Sequence, residues 1–459
     1  RKHLHSTHRK APHIMTLHRS QFPDDFRFGT ATAAFQIEGG VTEGGRTPSI
    51  WDTFSALPGT IANGDTAEVA CDHYQRLDED LELLGALGGE TYRFSFSWTR
   101  ILSGSDLTVN RAGVDFYRRL IDGLRDRGIA PMATLYHWDL PQTIQDLGGW
   151  TNRDTASRLA EFASVVAREL GDGIDTWITL NEPYNHMSHG HIHGFHAPGL
   201  QLGIGATEVA HNQLLAHGLA VQALRAESNA TIGISNYYSP ARPAPENAEL
   251  GPKWDAWVNH LFTDPILFGT YPEELASFAP IEQFVKDGDL AIISQPIDML
   301  GVNFYRPSPP VPTPGGLFPF ALGQFDGGER TGFNWPIVPD ALRDLLTGLR
   351  ARYGDALPPI EITENGAAFD DVVEDGVCDD PGRLSYVQRH LDATRQAIDA
   401  GVDVRGYYLW SLLDNFEWAA GYSQRFGAIH VDFETLERTP KSTFNWYRDF
   451  LKGEEPAHD

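Results

Sequence analysis

The chain has 459 residues, of which 41% are hydrophobic, and a formal net charge of −26. The length suits one large α/β unit with long loops, and the apolar content is enough for a sizeable core. The acidic balance argues against nucleic acid or anionic lipid as a partner, because phosphates are repelled; it is compatible with a soluble enzyme acting on a neutral small molecule.

Residues 1–20 are rich in His, Arg and Lys and lack an apolar segment. They read as a disordered tail or an added extension, not as a secretory signal. Met15 is the first methionine, so residues 1–14 are expected to lie outside the natural start. His3, His5 and His8 leave metal binding open as an alternative use of that tail. Cys71 and Cys378 are the two cysteines. Distant single thiols make no disulfide framework and point to a reducing, cytoplasmic location. No run of ~18 apolar residues marks a membrane helix, so no membrane partner is expected.

Order is expected to begin at residues 26–39, a small-residue, apolar strand with a polar end, followed by a Gly- and Pro-rich loop to about residue 65. Residues 72–87 have helical periodicity, with Tyr74, Leu77, Leu81 and Leu84 on one face. Residues 91–98 form an aromatic strand, 116–127 a helix closed by Gly128, and 130–136 a strand running into His137-Trp138-Asp139-Leu140-Pro141. A long amphipathic helix over 152–170 precedes a strand at 176–180. A helix at 206–228 is followed by strands at 231–235 and 299–305, a helix at 340–353, a strand at 360–364, a helix at 384–400 and a strand at 406–410.

Eight strand candidates alternating with helices argue for a parallel sheet, and their lack of strict polar alternation argues for burial on both faces. No G-x-G-x-x-G or P-loop marks an open nucleotide-binding sheet. The expected fold is therefore a single (β/α)8 TIM barrel over residues 21–454. Its long loops, at 37–70, 183–205, 236–265, 305–336 and 411–435, each follow a strand and so lie on the C-terminal, catalytic face.

Two stretches carry the chemistry. Ile360-Glu361-Ile362-Thr363 runs into Glu364-Asn365-Gly366, and Thr176-Trp177-Ile178-Thr179-Leu180 runs into Asn181-Glu182-Pro183. Each is an apolar strand ending in a carboxylate and then a breaker, where Asn and Gly tolerate positive φ. Singly, each glutamate could be a strand-end surface group. Together they are what a two-carboxylate reaction in a parallel barrel requires.

Six motifs taken in order resemble glycoside hydrolase family 1, the β-glucosidases: Gln36-Ile37-Glu38-Gly39, Tyr92-Arg93-Phe94-Ser95, Leu135-Tyr136-His137-Trp138-Asp139-Leu140-Pro141, Thr179-Leu180-Asn181-Glu182-Pro183, Ile362-Thr363-Glu364-Asn365-Gly366 and Trp410-Ser411-Leu412-Leu413-Asp414-Asn415-Phe416-Glu417-Trp418. The resemblance implies hydrolysis with retention, with Glu364 as nucleophile, Glu182 as general acid/base and Arg93 and Tyr305 as partners of the nucleophile. It implies Asn181 at the sugar 2-hydroxyl, Gln36, His137, Trp138, Trp410, Glu417 and Trp418 in the glycone pocket, and Trp335 as an aglycone platform. Glu rather than Gln at position 182 implies an O-glycosidase, and the acidic Glu417 disfavours a phosphorylated sugar. Tyr184 stands where the family often has Trp, and Thr99 where it usually has Pro. The run His186, His189, His191, His193 and His196 matches no tight metal-ligand spacing, and the reaction needs neither metal nor cofactor.

The expected substrate is a small-molecule β-glucoside: terminal β-D-glucosyl residues of short oligosaccharides such as cellobiose, or aryl and alkyl glucosides, with β-galactosides and β-fucosides left open. The alternatives are a transglycosidase using the same glycosyl-enzyme and a non-catalytic sugar-binding protein, whose mark would be loss of one carboxylate.

Overall fold

The computed structural model describes residues 16–454. Eight strands close into a ring: β1 Arg27–Ala31, β2 Thr91–Ser95, β3 Ala130–Tyr136, β4 Thr176–Asn181, β5 Thr231–Tyr238, β6 Met299–Phe304, β7 Ile360–Asn365 and β8 Val404–Trp410. Every neighbouring pair is parallel, and β1 pairs with both β2 and β8, which closes the barrel. Helices follow the strands in turn: α1 Leu77–Leu87, α2 Arg111–Asp126, α3 Asp154–Leu170, α4 Thr207–Glu227, the short α5 Asp289–Ile293, α6 Asp340–Tyr353, α7 Pro381–Asp399 and α8 Ser442–Lys452. This is the expected (β/α)8 barrel.

The strands are buried along almost their whole length because helices cover one face and barrel-filling side chains cover the other. Ala31, Met132, Ile178, Met299, Tyr408 and Trp410 form a cluster separate from the larger strand–helix core. The barrel also buries charged groups that have partners. Glu361 on β7, for example, accepts from the Tyr408 hydroxyl at 2.6 Å and is ion-paired with Arg27 on β1.

Several expected boundaries move, each for a local reason. Strand β1 ends at Ala31, and Ala34–Ile37 is a helical turn, because the Ala34 N–H is taken by Ser95 Oγ at 2.7 Å instead of a neighbouring strand. Helix α1 starts at Leu77 and not at residue 72, since Asp72 holds φ at 54°. Helix α2 starts at Arg111, a turn before its apolar period becomes visible; Gly113 is required there because a Cβ would lie 1.9 Å from the Arg100 carbonyl oxygen. The end of the expected tail is already ordered: Leu17 is buried, and Arg19 donates to the Asp24 and Phe26 carbonyls. Residues 1–15, with His3, His5 and His8, lie outside the described residues. Among the described residues no helix is long and apolar enough to cross a membrane.

The loops on the strands' C-terminal face are tied down by buried ions. Lys441 Nζ donates to Asp371 at 2.5 Å and Asp414 at 2.7 Å. Arg383 reaches Asp371 at 2.7 Å, Asp380 at 2.6 Å and the Arg425 carbonyl at 2.6 Å. Burial alone would raise the Asp414 pKa, but the Lys441 and Arg425 cations bring it below the usual carboxylate value. This cluster joins the segments after β7 and β8 to the start of α8. Removing one member leaves buried charge uncompensated, so Lys441→Met is expected to cost ~3 kcal/mol. Urea unfolding checks this; a loss under ~1 kcal/mol would show that the cluster does not anchor the loops.

Candidate active site

Both glutamates stand at irregularities in the barrel. The register of β4 against β5 shifts between Ile178 and Asn181, and that of β7 against β6 shifts between Glu361 and Glu364. Such shifts re-aim side chains at a barrel rim. Glu182 has φ 43° and ψ 58°, a left-handed conformation uncommon for a residue with a Cβ, and Pro183 then opens the turn Pro183–Met187. Around Glu364 the expected reason for Asn-Gly is corrected. Asn365 remains in the strand, and Gly366 has no positive φ. It is needed for space, since a Cβ there would lie 1.8 Å from the Trp410 carbonyl oxygen.

Glu364 is 4% exposed, and each of its oxygens has a donor: Arg93 Nη1 at 2.6 Å and the Tyr305 hydroxyl at 2.7 Å. Arg93 also donates to the Thr363 carbonyl at 3.1 Å and, through Nη2, to Asn181 Oδ1 at 2.6 Å. Glu182 is equally buried but has amides instead of a cation: Asn303 Nδ2 at 2.8 Å and Asn185 Nδ2 at 2.6 Å. Its pKa is raised by burial and then by the Glu364 charge, against the amides and Arg93. Asn303 Nδ2 also donates to Asn181 Oδ1 at 3.0 Å. A continuous chain of hydrogen bonds therefore runs Glu364–Arg93–Asn181–Asn303–Glu182.

Asn181 Nδ2 lies 3.0 Å from His137 Nε2. An amide N–H can only donate, so Nε2 accepts, which leaves the His137 proton on Nδ1, a buried atom without a protein partner. Burial, aided by Arg93, keeps this imidazole neutral by lowering its pKa well below the usual value. Glu417 is partly buried, with Oε2 itself out of solvent and unpartnered, and its pKa is pushed up to about 8 by desolvation and by Glu364 and Glu182. A hydrogen donor and a carboxyl are thus held ready for hydroxyl groups.

These residues line a cavity of about 500 Å³ that takes in His137, Trp138, Asn181, Glu182, Tyr305, Trp335, Glu364, Trp410, Glu417 and Trp418. Arg93 stands behind Glu364. Gln36, expected on the wall, lies behind it: Nε2 is used on Asn415 Oδ1 at 3.1 Å and the Phe416 carbonyl at 2.9 Å. Trp138 lines the wall with its ring while its indole N–H is taken by the Asn181 carbonyl at 2.8 Å. Trp418 is wedged between Phe35, Trp51 and Trp138.

The histidine run divides. His186 bonds to the Tyr136 hydroxyl at 2.9 Å, and His191 to the His186 carbonyl at 3.2 Å. His189 and His196 reach the cavity. Among the described residues no cluster of three or more His, Cys, Asp or Glu side chains could hold a metal ion. Asn303 and Asn185 were absent from the expected site. Asn185 had a visible signal, since three residues along a helical turn returns to the face of Glu182. Asn303 had only its position, at the end of an apolar strand just before Phe304-Tyr305.

Two buried carboxyls at the C-terminal mouth of a parallel barrel, one ion-paired and the other with a raised pKa, define an acid–base and nucleophilic site of the glycosidase type. The sequence profile of Glycosyl hydrolase family 1 matches residues 18–456. The chain is 47% identical to a bifunctional β-D-glucosidase/β-D-fucosidase of Bifidobacterium breve, over 94% of this chain and 98% of the relative. It is 44% identical to β-glucosidase A of Acetivibrio thermocellus, with the same coverage of 94% and 98%. The structure of a family 1 β-glucosidase from Thermotoga maritima matches with a TM-score of 0.90 at 41% identity, covering 95% of this chain and 99% of that one. The chain belongs to glycosyl hydrolase family 1 and is a glycoside hydrolase.

The bond from Asn303 favours the charged form of Glu182. Asn303→Ala is therefore expected to raise the Glu182 pKa further and move the alkaline limb of kcat/KM upward by ~1 pH unit. A pH–rate profile checks this; movement to lower pH would contradict the assigned bond.

Proposed function

We propose that the protein is a retaining β-glucosidase that releases terminal, non-reducing β-D-glucose from short oligosaccharides, including cellobiose, and from aryl or alkyl glucosides. The observation that carries this reading is the chain of bonds from Glu364 through Arg93, Asn181 and Asn303 to Glu182. It gives the two carboxyls opposite environments.

In this reading Glu364 attacks the anomeric carbon as the carboxylate. Arg93 and Tyr305 hold its charge and fix its orientation. Glu182 enters protonated and gives its proton to the glycosidic oxygen as the C1–O bond breaks, which releases the aglycone as an alcohol. The product on the enzyme is a glycosyl ester of Glu364. Esterification removes the Glu364 charge, which is one of the two causes of the raised Glu182 pKa. Glu182 then takes a proton from water, the water oxygen bonds to C1, and the ester breaks to return both carboxyls to their starting states. Two inversions give retention, and this geometry requires carboxyl groups ~5–5.5 Å apart.

Asn181, held by Arg93 and Asn303, is positioned for the 2-hydroxyl, where contacts strengthen in the transition state. His137 and Glu417 read the remaining hydroxyls, Gln36 supports the loop of Glu417 from behind, and Trp410 and Trp418 form the ring surface. The Bifidobacterium relative's name supports β-fucosides as side substrates. A cytoplasmic location belongs to the same proposal, supported by Cys71 and Cys378, both buried and unpaired.

The test uses p-nitrophenyl β-D-glucoside with wild type and Glu364→Gly. The variant is expected to lose more than ~10³-fold in kcat. Added azide is expected to restore turnover with α-glucosyl azide as product, and wild type to release β-glucose first. First release of α-glucose would overturn the retaining scheme. Activity should also be lost as pH rises through the raised Glu182 pKa, because the proton needed by the leaving oxygen is then gone; Glu182→Gln should abolish that limb.

A further inference from the structure

The cavity changes character away from the two carboxyls. Its outer part is walled by Tyr184 and Tyr237, whose rings stack at 6.3 Å and 10°, and by Phe333 and Trp335, stacked at 4.7 Å and 3°. Phe195 and Leu322, at 48% and 42% exposure, extend this apolar rim toward solvent. One side chain there is charged. Arg306, next to Tyr305, lines the cavity with its guanidinium 5.2 Å from the Trp335 ring centroid.

Three observations set Arg306 apart. Among the described residues no carboxylate lies within ion-pairing distance of it, and its guanidinium donates no hydrogen bond. By contrast Arg352, Arg383 and Arg425 are each paired with an aspartate. The neighbouring His189 and His196 do not share the charge: burial holds the first down to about 3 and the second well below its usual pKa, so both are neutral. Phe333 stacks parallel to Trp335, and the Arg306 guanidinium lies over the same indole. The platform expected at Trp335 is therefore partly covered by Phe333 and by the guanidinium.

We propose that Arg306 is a specificity-determining residue for aglycones that carry an anionic group, with a carboxylate on an aromatic ring as the class that fits. The proposal rests on the β-glucosidase reading. The flanking aromatic pairs suit a flat ring, and a guanidinium with free N–H groups suits a carboxylate, which it can grip with two parallel bonds. The positive charge also offsets the repulsion an anion would meet in a chain of net charge −26 with three carboxyls in the cavity.

The experiment compares 4-carboxyphenyl and 4-(methoxycarbonyl)phenyl β-D-glucosides, which differ in charge but have similar shape. The quantity read is the ratio of their kcat/KM values in wild type, Arg306→Gln and Arg306→Lys. Leaving-group reactivity is the same for every enzyme, so it cancels when the ratios are compared. The acid-to-ester ratio is expected to fall ~5-fold in Arg306→Gln, to be partly kept in Arg306→Lys, and to shrink with added salt in wild type. An equal ratio in wild type and both variants overturns the proposal, even if both substrates slow together, since that outcome makes Arg306 only a support for Trp335. If wild type turns over neither these substrates nor p-nitrophenyl β-D-glucoside, the β-glucosidase reading fails and this proposal fails with it. That result is distinct from an unchanged ratio on an active enzyme.

Discussion

The site depends on one buried cation. Arg93 rises from β2 inside the barrel mouth and bonds to a carboxylate on β7 and an amide on β4. Glu364 and Glu182 are deeply buried beside the same cavity, and Glu417 is partly buried there. Burying an uncompensated ion costs several kcal/mol, so three such carboxyls cannot all be ionised without help. Arg93 gives its charge to Glu364, while Glu182 and Glu417, left with neutral partners, shift upward in pKa. The different environments of Glu364 and Glu182 are thus set by where a single guanidinium points.

That arrangement has to be held still. Glu182 sits in a left-handed backbone conformation, and the wall residues Glu417 and Trp418 come from the loop that follows β8. Strain of this kind persists only where the surroundings over-determine it. Here they do so in two ways. Buried ions join the segments after β7 and β8 to the start of α8, and Trp418 is locked among Phe35, Trp51 and Trp138. The barrel wall supplies position, and these clamps fix the loop residues that complete the pocket wall.

The helix Asp340–Tyr353 and the strand Ala130–Tyr136 have the limits their patterns suggest, because apolar periodicity and turn residues both end at the same places. Strand ends at the barrel rim were harder to read. Residues 32–39 look like a continued strand, yet a side-chain hydroxyl from β2 captures the Ala34 N–H and turns the chain. No local pattern announces such a partner. For the same reason no local pattern singles out Asn303: its value lies in reaching Glu182 and Asn181 across the ring, which only barrel closure arranges.

The amino-acid sequence by itself determined the alternation of strands and helices, the placement of two glutamates at strand ends, and the family motifs around them. Each of these is written in short-range order, in periodicity, breakers and neighbours. The tertiary structure alone decided that Gln36 stands behind the wall, that Gly366 is needed for room and not for turning, and that Trp335 lies against both Phe333 and Arg306. It also decided which glutamate has a guanidinium beside it. Such properties arise from groups distant in the chain meeting in a low-dielectric cavity, where burial and a single neighbouring charge outweigh anything encoded locally.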